Sequence, residues 1–215
     1  MTRHPQLLRF IGLSIAAGLA SLLGYEKLDR PIALFFARQL QAHPLLGKAT
    51  ANIPDLLPTL VVVATAALLL FYLFGRKEPL SRHRPFFLAG ATALPVTFLL
   101  KEFFQFLFSR IGTRLWLQDC GFMGFNWFSP DTDFRGFPSG HMAVATALLT
   151  VVWGYYPRSR PAVAAGLLLL AFALVATDYH FLSDVIAGAY TGLVPALAAG
   201  RLLPALPLPT SSSRH

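Results

Sequence analysis

Cysteine is almost missing from this chain. A single thiol, Cys120, among 215 residues excludes an intrachain disulfide and a zinc centre built on several cysteines. Charge is scarce too: Asp, Glu, Lys and Arg make up 13% of the residues, and only ten of these are carboxylates. With 55% hydrophobic residues and a mean hydropathy of +0.56, this excludes a soluble domain of such length. The carboxylates offer no compact cluster for a metal ion, and no cofactor motif stands out. No internal repeat is present.

What is present is a series of long apolar runs. Six segments, 7–25, 55–75, 85–108, 140–156, 161–179 and 184–203, come close to the ~20 residues a membrane-crossing helix needs. The expected fold class is therefore all-α: one polytopic bundle of six transmembrane helices over residues 1–203. Residues 204–215, rich in Pro and Ser, read as a disordered tail. Residues 26–48 differ, setting Ile32, Leu34, Phe35, Phe36 and Leu40 against Arg38, Gln39 and Gln41. That pattern fits an amphipathic helix at the membrane surface, and equally a short connecting helix packed on the bundle. Arg3 and Arg9 before the first apolar run resemble a signal sequence. No small-x-small site closes the run, so an uncleaved first span is expected.

The net charge of +8 is a signal of topology rather than of nucleic acid. With the N-terminus inside, the inner segments hold ten Lys and Arg residues against Glu78 alone. The outer segments hold eight against nine carboxylates. Both termini are then cytoplasmic, and the 109–139 loop and the 178–184 turn share the outer face.

Three clusters carry the chemistry. Phe137-Pro138-Ser139-Gly140-His141 stands where a polar, aromatic-rich loop meets an apolar run. Ser139 suits a helix N-cap, Gly140 lets a ligand approach the backbone, and free N–H groups in the first turn attract phosphate. In Thr177-Asp178-Tyr179-His180-Phe181-Leu182-Ser183-Asp184, His180 and Asp184 are one helical turn apart. Asp184 would hold one imidazole nitrogen protonated and leave the other as a nucleophile or base; a polar turn between spans fits as well. The third cluster runs from Lys101 through Gln105 to Arg110. Its cations would neutralise a phosphate, although Lys101 could equally reach for lipid headgroups.

Together these clusters resemble the membrane-bound branch of the type 2 phosphatidic acid phosphatase (PAP2) superfamily. Pro138-Ser139-Gly140-His141 matches the family's central motif, and His180 with Asp184 the end of its third, followed by Val185-Ile186-Ala187-Gly188. Two departures stand out. In the better register, Phe108-Ser109-Arg110 takes the place of Phe-Gly-Arg, Trp116 falls in place, and Gln105 holds the position of the family's lysine. In the third motif, Ala173-Leu174 replaces Ser-Arg. Arg110, Lys101, Arg114 or Arg135 would then compensate, or phosphate binding is weaker, or the function has changed.

The resemblance implies an integral membrane lipid phosphate phosphatase working without metal or other cofactor. In it His180 attacks phosphorus, Asp184 orients His180, and His141 protonates the leaving oxygen. Ser139, Gly140, Arg110 and Lys101 would hold the phosphoryl group. The implied setting is a bacterial inner membrane with the site facing the periplasm. The implied partner is a phospholipid or isoprenoid lipid phosphate, without nucleic acid. A lipid phosphotransferase and an inactive lipid-binding relative are the alternatives.

Overall fold

The computed structural model describes residues 4–43, 56–77, 80–119 and 121–202. Among them regular structure is helical, and β-type pairing is limited to isolated bridges. Helix α1 (His4–Leu23) passes through a π-helical turn, Gly24–Leu28, into α2 (Asp29–Ala42). Then come α3 (Leu57–Phe74), α4 (Arg84–Phe108), the short α5 (Thr113–Asp119), α6 (Gly140–Tyr155), α7 (Arg160–Ala176) and α8 (Leu182–Leu202). Proline opens the first turn of α3, α4 and α7, where its missing N–H costs nothing.

Five helical segments are long and apolar enough to cross a membrane: Leu7–Ala42, Leu57–Phe74, Leu80–Phe108, Pro157–Ala176 and Leu182–Leu202. Helix α6 is apolar but has 16 residues, a length of ~24 Å at 1.5 Å per residue, short of a ~30 Å hydrocarbon core. The boundaries differ from expectation at two places. Helix α7 stops at Ala176, because Thr177–Phe181 forms the turn that carries His180. No break separates 7–25 from 26–48: the π-turn carries the helix onward while changing the face that looks inward. As a result Asp29 and Ala33 are buried, and Ile32 and Phe36 pack on Met142, Leu174, Val175 and Val185. Helix α2 thus lies against the bundle. Residues 44–48 and the tail 204–215 fall outside the described residues.

The outer helices present bulky side chains, among them Ile15 and Leu19 on α1, Val62 and Phe74 on α3, and Leu168 and Phe172 on α7. The interior is built instead from small ones: Ala89 and Ala93 of α4, Ala143 and Ala147 of α6, and Ala196 and Ala199 of α8. Such small residues let helix backbones approach closely, which is how helices associate when the solvent is itself apolar. The closest approach joins α6 and α8. A Cβ on Gly188 would lie 2.4 Å from the Ser139 carbonyl oxygen, and one on Gly192 would lie 2.0 Å from that of Ala143. This crossing sets the start of α6 beside the start of α8.

One end of the bundle therefore gathers the C-terminal end of α4, the start of α6 and the start of α8. The opposite end carries the connections after α3 and α6, with Arg76, Lys77, Arg82, Arg84, Arg158 and Arg160. At the first end, Asp178 adopts a left-handed conformation, φ 54°. The turn it makes lets the N–H groups of Tyr179 and His180 both donate to the Leu174 carbonyl, at 3.0 and 3.1 Å. Asp178 is buried, and burial pushes its carboxyl from the ordinary 3.8 up to about 6, against the pull of Arg114.

Two outcomes test this packing. Gly192→Ala should cost ~1–3 kcal/mol, because backbone must move to admit the methyl group. Gly200→Ala, which meets nothing within 4 Å, should be neutral or slightly stabilising; thermal unfolding in detergent measures both. For Asp178, the folded protein holds a proton that the unfolded chain releases between pH 3.8 and about 6. Stability contributed at this site should then fall as pH rises through that window and level off above it. Asp178→Asn should remove that slope from melting temperatures measured at successive pH values.

Candidate active site

His180 is fixed from behind by main chain. Its Nδ1 lies 3.1 Å from the Gly136 carbonyl oxygen, which can only accept, so Nδ1 carries the hydrogen. In a neutral ring that leaves Nε2 with a free lone pair, the form a nucleophile requires. Gly136 is itself held by its N–H, which donates to the Arg110 carbonyl at 2.8 Å. A Cβ there would stand 2.7 Å from the Ile111 carbonyl oxygen, so only glycine lets the loop lie so close.

Asp184 was expected to hold one nitrogen of this imidazole protonated and to orient the ring. It lies 3.8 Å from Nδ1, near enough to act through charge but too far for a direct hydrogen bond. Its oxygens are taken elsewhere: one accepts from the Phe181 N–H at 3.0 Å, the other from Arg110 at 2.6 Å. His180 Nδ1–H donates instead to the Gly136 carbonyl, which no side-chain pattern announces.

His141 faces His180 from the first turn of α6, with ring centroids 6.3 Å apart, and meets the Tyr179 ring edge-on at 5.1 Å. The expected N-cap is present: Ser139 Oγ accepts from the Met142 N–H at 3.3 Å. Ser139 is fully buried, and its N–H donates to the Asp184 carbonyl at 2.9 Å. Ser139 therefore sits behind the cleft, joining the two helix starts, while Gly140 lines it. A Cβ on Gly140 would lie 2.8 Å from Lys101 Cε, so the glycine makes room for the lysine stem.

The cleft between the histidines has a volume of about 520 Å³. Three cations border it: Lys101, Arg114 and Arg135. Glu102 holds two of them, pairing with Lys101 and, at 3.0 Å, with Arg135. Arg114 donates to the Thr177 carbonyl at 3.1 Å and stacks over the Tyr179 ring at 4.8 Å. It also borders a smaller hollow beside Ala173 and Leu174. Gln105, at the position of the family's lysine, is buried and donates to the Pro138 carbonyl at 3.0 Å.

Arg110 is not among the cleft cations. It is fully buried, with one nitrogen on Asp184 at 2.6 Å and another on Asp29 at 2.9 Å. The first of these also donates to Ser183 Oγ at 2.7 Å. Asp29 in turn accepts from the Ser183 N–H at 2.9 Å and from the Ser183 hydroxyl. Tyr25 and Phe181 stack on the guanidinium at 4.9 and 4.3 Å. Burial opposes the charge, and the Asp184 and Asp29 carboxylates more than compensate, holding Arg110 protonated above its ordinary range. The structure thus brings together His141, His180, Gly140 and Lys101, keeps Asp184 and Ser139 directly behind them, and sends Arg110 into the core.

The register that makes Ser109 a substitute for glycine has a structural counterpart. Ser109 ends α4 in the left-handed region, φ 42°, where glycine is the usual choice. Its hydroxyl donates to the Phe106 carbonyl at 2.7 Å and accepts from the Ser129 N–H at 2.9 Å, which holds the strained residue in place. Asp29 was missed as a site neighbour. It precedes Arg110 by 81 residues and Ser183 by 154, and no local pattern links them.

Among the described residues no group of three or more His, Cys, Asp or Glu side chains is placed to hold a metal ion. Compared with known families, residues 55–206 match the model of the PAP2 superfamily. No curated protein and no solved structure matches the chain. Because the family match spans most of the chain and takes in both cleft histidines, the chain belongs to the PAP2 superfamily.

Proposed function

We propose that this protein is an integral membrane phosphatase that hydrolyses a lipid phosphomonoester or pyrophosphate without a metal. The observation that carries the reading is His141 facing His180 across a cleft bordered by Lys101, Arg114 and Arg135. Family membership supports phosphatase-type activity on phosphate esters.

In this reading His180 Nε2 attacks phosphorus, and the bond from phosphorus to the lipid oxygen breaks. His141 gives that oxygen a proton. In the phosphohistidine formed the imidazole ring is positively charged, because Nδ1 keeps its hydrogen; the Gly136 carbonyl and the Asp184 charge support the ring. His141 then takes a proton from water as the water attacks phosphorus, releasing phosphate and restoring His180. Gly140 at the start of α6 and the three cleft cations hold the phosphoryl oxygens. Arg114 supplies the charge that the family's third-motif arginine would bring, since it borders the hollow beside Leu174. That proximity favours an active enzyme over an inactive lipid-binding relative.

The lipid's apolar part remains in the bilayer. The bulky side chains exposed on α1, α3 and α7 support that setting. We place the basic turns after α3 and α6 inside and the cleft at the outer face of a bacterial inner membrane. Helix α6 is then the sixth membrane segment, and the polar edge of α2 lies at the outer interface.

Purified protein should release phosphate from at least one of undecaprenyl pyrophosphate, phosphatidylglycerophosphate, phosphatidic acid or lipid A with EDTA present. His180→Ala should reduce release to the uncatalysed level, and His141→Ala should lower kcat by ~10²–10⁴-fold. Release that survives in His180→Ala would remove the nucleophile assignment. Arg114→Ala should lower kcat/KM by roughly tenfold or more, as loss of a charge-assisted phosphate contact does. An Arg114→Ala enzyme with unchanged kcat/KM would show that another cation does this work.

A further inference from the structure

The Asp29–Arg110–Asp184 network holds more negative than positive charge. Two carboxylates share one guanidinium, all three side chains are fully buried, and the arrangement carries a net charge of −1. Asp184 is the member next to His180, at 3.8 Å. With Arg110 alone as its partner at 2.6 Å, the Asp184 charge would be cancelled at close range, and His180 would face a neutral pair. Asp29 engages the other side of the same guanidinium at 2.9 Å and restores the imbalance.

Resting on the phosphatase reading of this cleft, we infer that Asp29 is a positioning residue for the reaction. By occupying Arg110 it keeps the buried network anionic behind His180 and so stabilises the charge His180 gains as phosphohistidine. Asp29 lies outside residues 55–206, the part of the chain that matches the family. It is supplied by α2, which the π-turn Gly24–Leu28 directs inward.

The other charged groups around His180 cannot take over this role. From the cleft side His180 meets Lys101, Arg114, Arg135 and His141, which are neutral or positive, and two carboxylates, Asp133 and Glu102, of which Glu102 is paired with Lys101 and Arg135. Asp178, in the same turn, has its charge opposed by burial and offset by Arg114. The Asp29–Arg110–Asp184 group is the one that sets a carboxylate against Nδ1, at 3.8 Å, among the ion pairs of the described residues. A purely mechanical role is the competing account, since Asp29 also accepts from the N–H and hydroxyl of Ser183. Ser183→Ala separates the two, because it deletes a hydrogen-bond link while leaving every charge in place.

The test uses the full chain in detergent, with Asp29→Asn, Asp29→Glu and Ser183→Ala. Each is assayed for hydrolysis of the lipid phosphate that the wild type cleaves fastest. Asp29→Asn should lower kcat by roughly tenfold or more with KM within about threefold, a factor of ten being about 1.4 kcal/mol of lost stabilisation of the charged state. Asp29→Glu should recover most of that loss, and Ser183→Ala should keep at least about a third of wild-type kcat. Asp29→Asn within about threefold of wild type overturns the inference, as does a Ser183→Ala loss equal to that of Asp29→Asn. If Asp29→Asn does not fold, Ser183→Ala decides by the same limits. If the wild type releases no phosphate from any lipid, the phosphatase reading fails separately. Orthovanadate binding, which places an oxyanion against the nucleophile, then decides. Binding weakened about tenfold or more in Asp29→Asn supports the role, and equal binding, or none by either protein, overturns it.

Discussion

A guanidinium with no access to water governs this structure. Taking Arg110, Asp29 and Asp184 out of water costs several kcal/mol per ion, and only close pairing with further hydrogen bonds offsets that. The pairing therefore dictates where three distant parts of the chain go. Helix α2 must reach the core, the α4–α5 connection must turn inward at Arg110, and α8 must begin where Asp184 meets it. The stacked rings of Tyr25 and Phe181 close the group off from water. Removing Arg110 would leave two carboxylates with no counterion where no solvent can reach them, whereas removing either carboxylate would leave a neutral pair.

The cleft follows from this junction together with the close contact of α6 and α8. Gly188 and Gly192 let the two backbones touch, and the Ser139 N–H bond to the Asp184 carbonyl fixes their relative height. Once those positions are set, His141 and His180 have little choice but to face each other. The charges of the core and those of the cleft are kept apart. Arg110 is committed to the core, whereas Lys101 and Arg135 share Glu102 beside the cleft, where, in the proposed reaction, a phosphate would compete for them.

Much of this was legible in the residues. The apolar runs located the helices to within a few residues, because length and hydropathy are local properties. The cap at Ser139 and the pair of histidines were also local, and they reappear in place. Three things were not local. Arg110 looks like a phosphate ligand at the end of a helix, and only the distant Asp29 shows why it is buried. The Gly136 carbonyl has no side chain to mark it. The continuity from α1 to α2 depends on a π-turn, which carries the helix past Gly24 and on to Pro31, residues that read as a break between two helices. Ser109 is an intermediate case: its place in the family pattern pointed to glycine, and its left-handed backbone supplies the reason.

The bond from His180 to the Gly136 carbonyl has a consequence for how this site can change over generations. A tautomer held by a carboxylate is lost whenever a single substitution removes that carboxylate. Here the acceptor belongs to the backbone, present whatever residue is encoded. The proton on Nδ1 is thus shielded from most point mutations, and the vulnerability moves to position 136, where any side chain would collide with the Ile111 and Arg110 carbonyls. Freed from that duty, Asp184 could be drawn into the ion network without His180 losing its orientation.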